Sequence, residues 1–168
     1  NGGVSRFEKI RYFYEDILNE QISEENVLNL ANNFASIIKK KIFDKKNLII
    51  DSLEFIKKNY EKFNFHIVSG AEHIELNNLC DYLDIKRYFI SIHGSPIKKD
   101  ILIKNIIIDY KYSLDEIILI GDAMSDYRAA KINNILFYAF NNIDLIEMSD
   151  FYINDFKKLT YKLNENIF

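Results

Sequence analysis

The sequence predicts an α/β chain, a parallel sheet with helices on both faces, joined to an N-terminal piece built only of helix. Three observations carry this. From about residue 51 onward, short apolar runs rich in β-branched residues alternate with segments of helical periodicity, the pattern of successive βαβ units. Residues 1–45 show helical periodicity alone. The run Ile117-Ile118-Leu119-Ile120 stops at Gly121 and passes directly into Ala-Met-Ser-Asp-Tyr-Arg-Ala-Ala-Lys, as a buried parallel strand does when it turns into a helix. The expected division is a helical subdomain over 1–45 and an α/β core over 46–168.

In the first part, Ser5 and Glu8 have capping-box spacing ahead of Phe7, Ile10, Phe13, Tyr14, Ile17 and Leu18 at helical period. Ser23, with Glu24 and Glu25 in the first turn, opens a second helix carrying Val27, Leu30, Phe34, Ile37 and Ile38 on one face. The Tyr and Phe residues of these two helices are expected to form the core of the subdomain. In the core, helices are expected at Asp51–Tyr60, Glu72–Leu83, Lys99–Tyr110, Ser125–Lys131 and Asp155–Leu163. Strands are expected at Phe65–Val68, Tyr88–Ile92, Ile117–Ile120 and Ile135–Phe140. The alternation implies right-handed crossovers and hence a parallel, Rossmann-like arrangement.

Composition narrows the function. The chain has 168 residues, 48% hydrophobic and 28% charged, enough for a packed core and unlike a disordered segment. A net charge of -3 leaves no polyanion footprint, so nucleic acid is not an expected partner. Lys39-Lys40-Lys41 reads as the solvated end of a helix. Cys80 is the only cysteine, which rules out a disulfide framework and fits a reducing cytoplasm. No apolar run reaches membrane-spanning length and no start resembles a signal peptide, so no membrane partner is expected.

Polar groups gather where the strands should end. Open α/β sheets bind ligands at the carboxyl ends of their strands. Asp122 follows the third strand directly, and Asp126 comes one helical turn later, so both can reach one site. Paired carboxylates there suit a hard cation such as Mg²⁺; the alternative is an aspartate that caps the next helix. Ser69-Gly70 ends the first strand, where a hydroxyl and backbone N–H groups can hold a phosphate oxygen, or where the chain simply turns. The second strand leads into a loop, His93-Gly94-Ser95-Pro96-Ile97-Lys98-Lys99, that delivers a lysine able to neutralise a phosphoryl group. His66 reads as a packed strand side chain and His73 as a surface residue one turn after Ser69. His93 is the histidine best placed to touch a substrate.

The order Ser69, Lys99, Gly121-Asp122-x-x-x-Asp126 on successive strand ends resembles the second, third and fourth motifs of the haloacid dehalogenase superfamily. The similarity covers nearly the whole chain, because residues 1–45 look like the helical cap inserted after the first strand in phosphoglycolate-phosphatase-like members. Lys99 matches the family spacing better than Lys98, which stays an alternative. Gly3-Val4-Ser5-Arg6 also looks like the cap segment of β-phosphoglucomutase-like relatives, in which the arginine contacts a second anionic group; a charge in a first helical turn is the other reading of Arg6. The resemblance implies a Mg²⁺-dependent phosphatase of small phosphorylated metabolites, with Ser69 and Lys99 on the phosphoryl group, Gly70, Arg6 and His93 on the substrate, and Asp122 and Asp126 at the metal.

The family's first motif, Asp-x-Asp after an apolar strand, which supplies the aspartyl nucleophile and the general acid/base, is absent from these 168 residues. Leu48-Ile49-Ile50-Asp51-Ser52 lacks an acid at 53 and falls after the cap, so Asp51 reads as a helix cap with Glu54 three residues on. Two expectations follow. Either the nucleophile and its central strand lie outside the sequence, which would leave two unpaired inner sheet edges, or the chain is a non-catalytic relative that only binds.

Overall fold

The computed structural model describes residues 4–165, so Gly3 of the Gly3–Arg6 segment lies outside the described residues. The chain opens with α1 (Arg6–Tyr12) and α2 (Glu24–Ile42). Ser5 and Glu8 form the reciprocal capping box, and the Ser23 hydroxyl accepts from Asn26 N. Between the two helices Phe13–Ile17 is a π-helical turn. The apolar face of this region is less covered than its periodicity predicts. Val27 and Ala31 of α2 are each 1% exposed, but Tyr12, Phe13, Ile17, Leu30, Phe34 and Ile37 are exposed. A pair of helices offers a wide stripe only one partner, and the small Ala31 sets the close contact, so the larger residues flank it.

The remainder alternates as the sequence predicts: α3 (Ile50–Asn59), β1 (His66–Glu72), α4 (His73–Tyr82), β2 (Ser91–Ser95), α5 (Lys99–Tyr110), β3 (Ile118–Gly121), α6 (Met124–Ile132), β4 (Leu136–Phe140), β5 (Phe151–Ile153) and α7 (Phe156–Glu165). Every strand pairing is parallel. Three expectations need correction. β1 runs on through Ser69-Gly70 rather than ending at Val68, and its register with β2 shifts between Val68 and Glu72. The second strand lies three residues later than expected: Lys86–Tyr88 is a 3₁₀ turn, and His93, Gly94 and Ser95 belong to β2, not to a loop. β5 was not expected. Only three residues long, Phe151-Tyr152-Ile153 has too short a run for periodicity to mark it, and its pairing with β4 defines it.

The strands form two hydrogen-bonded groups, β1-β2 and β3-β4-β5. Three apolar clusters bind them to the helices. Phe137, Ala139, Ala129, Ala130 and Ile103 form one on the α5/α6 side, which Val68 of β1 and Leu119 of β3 both join. Phe55, Tyr138, Ile153, Phe156 and Leu159 form a second on the α3/α7 side. Leu76, Cys80 and Ile92 form a third under α4. Alternate residues of β4 thus enter opposite clusters, Phe137 and Ala139 one and Tyr138 the other, as a strand covered on both faces requires. Among the described residues, β1 pairs only with β2 and β3 only with β4, leaving one edge of each without a ladder, while α5 packs across both groups.

Asp51 serves two helices: its Oδ1 accepts from Ser52 N at 2.9 Å in the first turn of α3. Ile49 is the residue preceding α3 and makes no side-chain cap, while Asp51 Oδ2 accepts from Phe156 N at 3.0 Å, capping α7 at the other end of the core. The tight join of α3 and α7 through Phe55 and Phe156, ring centroids 5.6 Å apart, brings the carboxylate there. No helix among the described residues is long and apolar enough to cross a membrane.

Candidate functional site

Lys99 is the first residue of α5, directly after the β2 end, and Asp126 lies in the first turn of α6, directly after β3. Their side chains, 12% and 7% exposed, form an ion pair between Lys99 Nζ and Asp126 Oδ1. The carboxyl ends of β2 and β3 therefore converge on one edge, where α/β sheets place ligands. The pair also separates the two lysines: Lys98 precedes α5 as its exposed N-cap residue, whereas Lys99 turns inward.

Asp126 has a second tie. Its Oδ2 accepts from Ala123 N at 3.1 Å, so the carboxylate spans the turn between β3 and α6, and Ala123 has no oxygen to return the bond. The turn needs Gly121. A β-carbon there would stand 2.4 Å from Asp126 Cβ and Cγ, so the absence of a side chain makes room for the carboxylate. Asp122, between them, is exposed, and its carboxylate has no partner among the described residues; its carbonyl accepts from Asn142 Nδ2 at 2.7 Å, tying the loop to the end of β4. Asn142 was missed by sequence reasoning. An Asn-Asn pair after a strand was its only signal, and such a pair is common in turns.

Ser69 and Gly70 lie half-buried in the irregular end of β1. Ser69 Oγ accepts from Ala71 N at 3.1 Å, which leaves its own O–H free to donate. Arg6 and His93 are engaged within the protein. Arg6 pairs with Glu75 of α4 at 2.7 Å, donates to Ala31 O at 3.4 Å and lies over the Phe34 ring, pinning α1 and α2 to α4. His93 Nε2 meets Ser91 Oγ at 2.8 Å, and burial, with the neighbouring His73, pushes its imidazole below the ordinary value.

Mg²⁺ is commonly held by one or two carboxylates together with substrate phosphates and water. Asp126 is already committed to Lys99 and Ala123 N, so Asp122 is the carboxylate left for a cation at this edge. Among the described residues no group of three or more His, Cys, Asp or Glu is arranged to hold a metal. Asp122 fits as one ligand of such an ion, not as a complete site.

Comparison with solved structures shows what this arrangement resembles. A hydrolase of the haloacid dehalogenase-like family from Streptococcus pneumoniae superposes with a TM-score of 0.72 at 17% identity, over 93% of this chain and 80% of that one. The chain has the haloacid dehalogenase-like fold. A predicted phosphoglycolate phosphatase from Haemophilus somnus matches with a TM-score of 0.73 at 13% identity, over 94% of this chain and 75% of that one. A protein from Bacillus subtilis described as a HAD-hydrolase bound to magnesium matches at 0.71 and 16% identity, over 96% and 74%. Neither a protein-family model nor a curated protein matches the chain. In this fold Lys99 opens α5 after β2 and Asp126 lies in the first turn of α6 after β3, and the helical pair α1–α2 packs at the α4 side through Arg6 and Glu75.

Proposed function

We propose that this chain is the larger part of a Mg²⁺-dependent phosphomonoester hydrolase acting on a small phosphorylated metabolite. The observation that carries the reading is the buried Lys99–Asp126 pair at the carboxyl edge beside the unpaired Asp122. An ammonium held by a buried carboxylate is oriented before a substrate arrives, the preorganisation that phosphoryl transfer uses. In this reading the Lys99 ammonium and the Ser69 hydroxyl hold phosphoryl oxygens, and Gly70 lets the backbone approach them. Asp122 would hold the magnesium ion, which supplies charge neutralisation at those oxygens. The attacking carboxylate, forming an aspartyl-phosphate, comes from an Asp-x-Asp strand outside this sequence, seated between the open edges of β1 and β3. Residues 1–45 act as a cap over the core of 46–168, excluding water when closed. Arg6 and His93 remain candidate substrate contacts in that closed state. The single buried cysteine accords with a cytoplasmic setting.

A second reading, a non-catalytic binding domain with this fold, is favoured by one observation, the absence of any Asp-x-Asp among the 168 residues. Determining the coding sequence ahead of Asn1 separates the two. An apolar strand ending in Asp-x-Asp supports the hydrolase, and the full-length protein should then release phosphate from p-nitrophenyl phosphate with Mg²⁺ and lose about 10²-fold or more in kcat with Lys99→Met. A natural start at this point, or an upstream segment without those acids, leaves binding as the function. Turnover by the purified 168-residue chain itself would overturn the placement of the nucleophile.

A further inference from the structure

All three histidines of the chain meet across β1 and β2. Tyr112 OH lies 3.0 Å from His66 Nε2, His66 Nδ1 lies 2.6 Å from Ser91 Oγ, and Ser91 Oγ lies 2.8 Å from His93 Nε2. The His93 ring faces that of His73, centroids 6.4 Å apart, and His73 Nδ1 accepts from Gly94 N at 3.3 Å. The last bond closes the series at the irregular end of β1, just past Ser69-Gly70.

The bond from Gly94 N needs a lone pair on His73 Nδ1. That nitrogen faces the Gly94 N–H, and the ring's Nε2 lies 3.4 Å from Asn77 Nδ2, an amide nitrogen oriented by its donation to His73 O at 2.9 Å. With the Nδ1 lone pair taken by the Gly94 N–H, the neutral ring carries its one proton on Nε2. An imidazolium carries N–H at both positions and can accept from neither. His73 is exposed, so solvent protons reach it. The bond it makes is also strategic: Gly94 comes so near the end of β1 that a β-carbon would stand 2.5 Å from Ala71 O, and the regular β1-β2 register is lost between Val68 and Glu72. Across that gap, Gly94 N to His73 Nδ1 is a cross-link that depends on an imidazole lone pair.

We propose that His73 is an acid-released clasp: neutral, it ties the β2 end to the Ser69–Glu72 segment, and protonated, it frees that segment. The groups around the series leave His73 as the responsive member. From α5 and the residue pair after it, Asp109, Tyr110 and Tyr112 face His93 and His66. On α4 and its cap, the Glu72 carboxylate is taken by Glu75 N and that of Glu75 by Arg6. Burial holds His66 and His93 below their ordinary value, which favours their neutral form. The inference is independent of the phosphatase reading.

Residue-resolved hydrogen exchange on the 168-residue chain tests it, with rates divided by the intrinsic rate at each pH. Between pH 7.5 and 5.5 the protection of the Gly94 amide should fall about fivefold to tenfold, the loss expected for one hydrogen bond, and exchange should rise through Ser69–Glu72. In His73→Asn, an exposed position where the Oδ1 amide oxygen stands at the place of Nδ1 and accepts at every pH, the fall should disappear while the core amides of β4 keep wild-type protection. An unchanged Gly94 amide in the wild type overturns the proposal. So does an equal fall in His73→Asn, which would mean general acid loosening.

Discussion

The carboxylate of Asp126 occupies the space where a side chain on Gly121 would be. That contact is why a glycine must precede Asp122: the turn from β3 into α6 folds Asp126 back over the strand end, and any β-carbon at 121 collides with it at 2.4 Å. Gly121→Ala should push the carboxylate aside, weaken its bond to Ala123 N and loosen Lys99. The expected cost is about 1–3 kcal/mol, read as a fall of about 3–10 °C in thermal midpoint for a chain of this size.

Asp126→Asn should cost more, about 3 kcal/mol, because it leaves the Lys99 ammonium buried without its counter-charge. Chemical denaturation measures it. The double variant Lys99→Met with Asp126→Asn should lose less than the sum of the two single changes, since neither charge is then stranded.

Asp51→Ala should destabilise by about 1 kcal/mol by removing an acceptor from the first turn of α7 as well as from Ser52 N in α3. The Asp51 acceptor serves Phe156 N, so amide exchange should rise in the first turn of α7. Unchanged exchange at the start of α7 would contradict the assignment.

Stability should decline as pH falls below about 6.5. Burial lowers the imidazole values of His66 and His93 relative to the unfolded chain, with His93 adding to the effect on His66. Above the unfolded value near 6.5 neither state binds these protons and the two residues contribute nothing to the pH dependence. Below it the unfolded chain takes protons that the folded one refuses, so the balance shifts toward unfolding. Thermal midpoints between pH 7.5 and 5.5, a range above carboxylate titration, should show the slope. His66→Phe, which keeps a ring against Tyr110, should flatten it.

The open edges of β1 and β3 should make the isolated chain self-associate, since unpaired parallel strands are templates for further strands. Sedimentation velocity at increasing concentration checks this. A cooperative melt of a monomer at every concentration would show that α5 alone secures the two strand groups.

By itself the sequence determined the order of the main helices and the first four strands and the polar residues near the strand ends. Those signals are local: β-branched runs, capping serines before Glu8 and Asn26, and the glycine that stops β3 all act within a few residues, and local rules read them. The same reach explains the limits. Lys99 and Asp126 could be named singly, but their pairing needed the convergence of two strand ends 27 residues apart. Asp51 carries the chemistry of a cap, and the packing of Phe55 on Phe156 brings its second oxygen to α7. Tertiary structure alone also decided that His66, His73 and His93, scattered over 28 positions, share one series of contacts, that three residues at 151–153 pair as a strand, and that Arg6 spends its charge on Glu75. Hydrogen bonds and ion pairs between distant segments depend on distances of a few ångströms in the folded chain, and neither periodicity nor residue type encodes those distances.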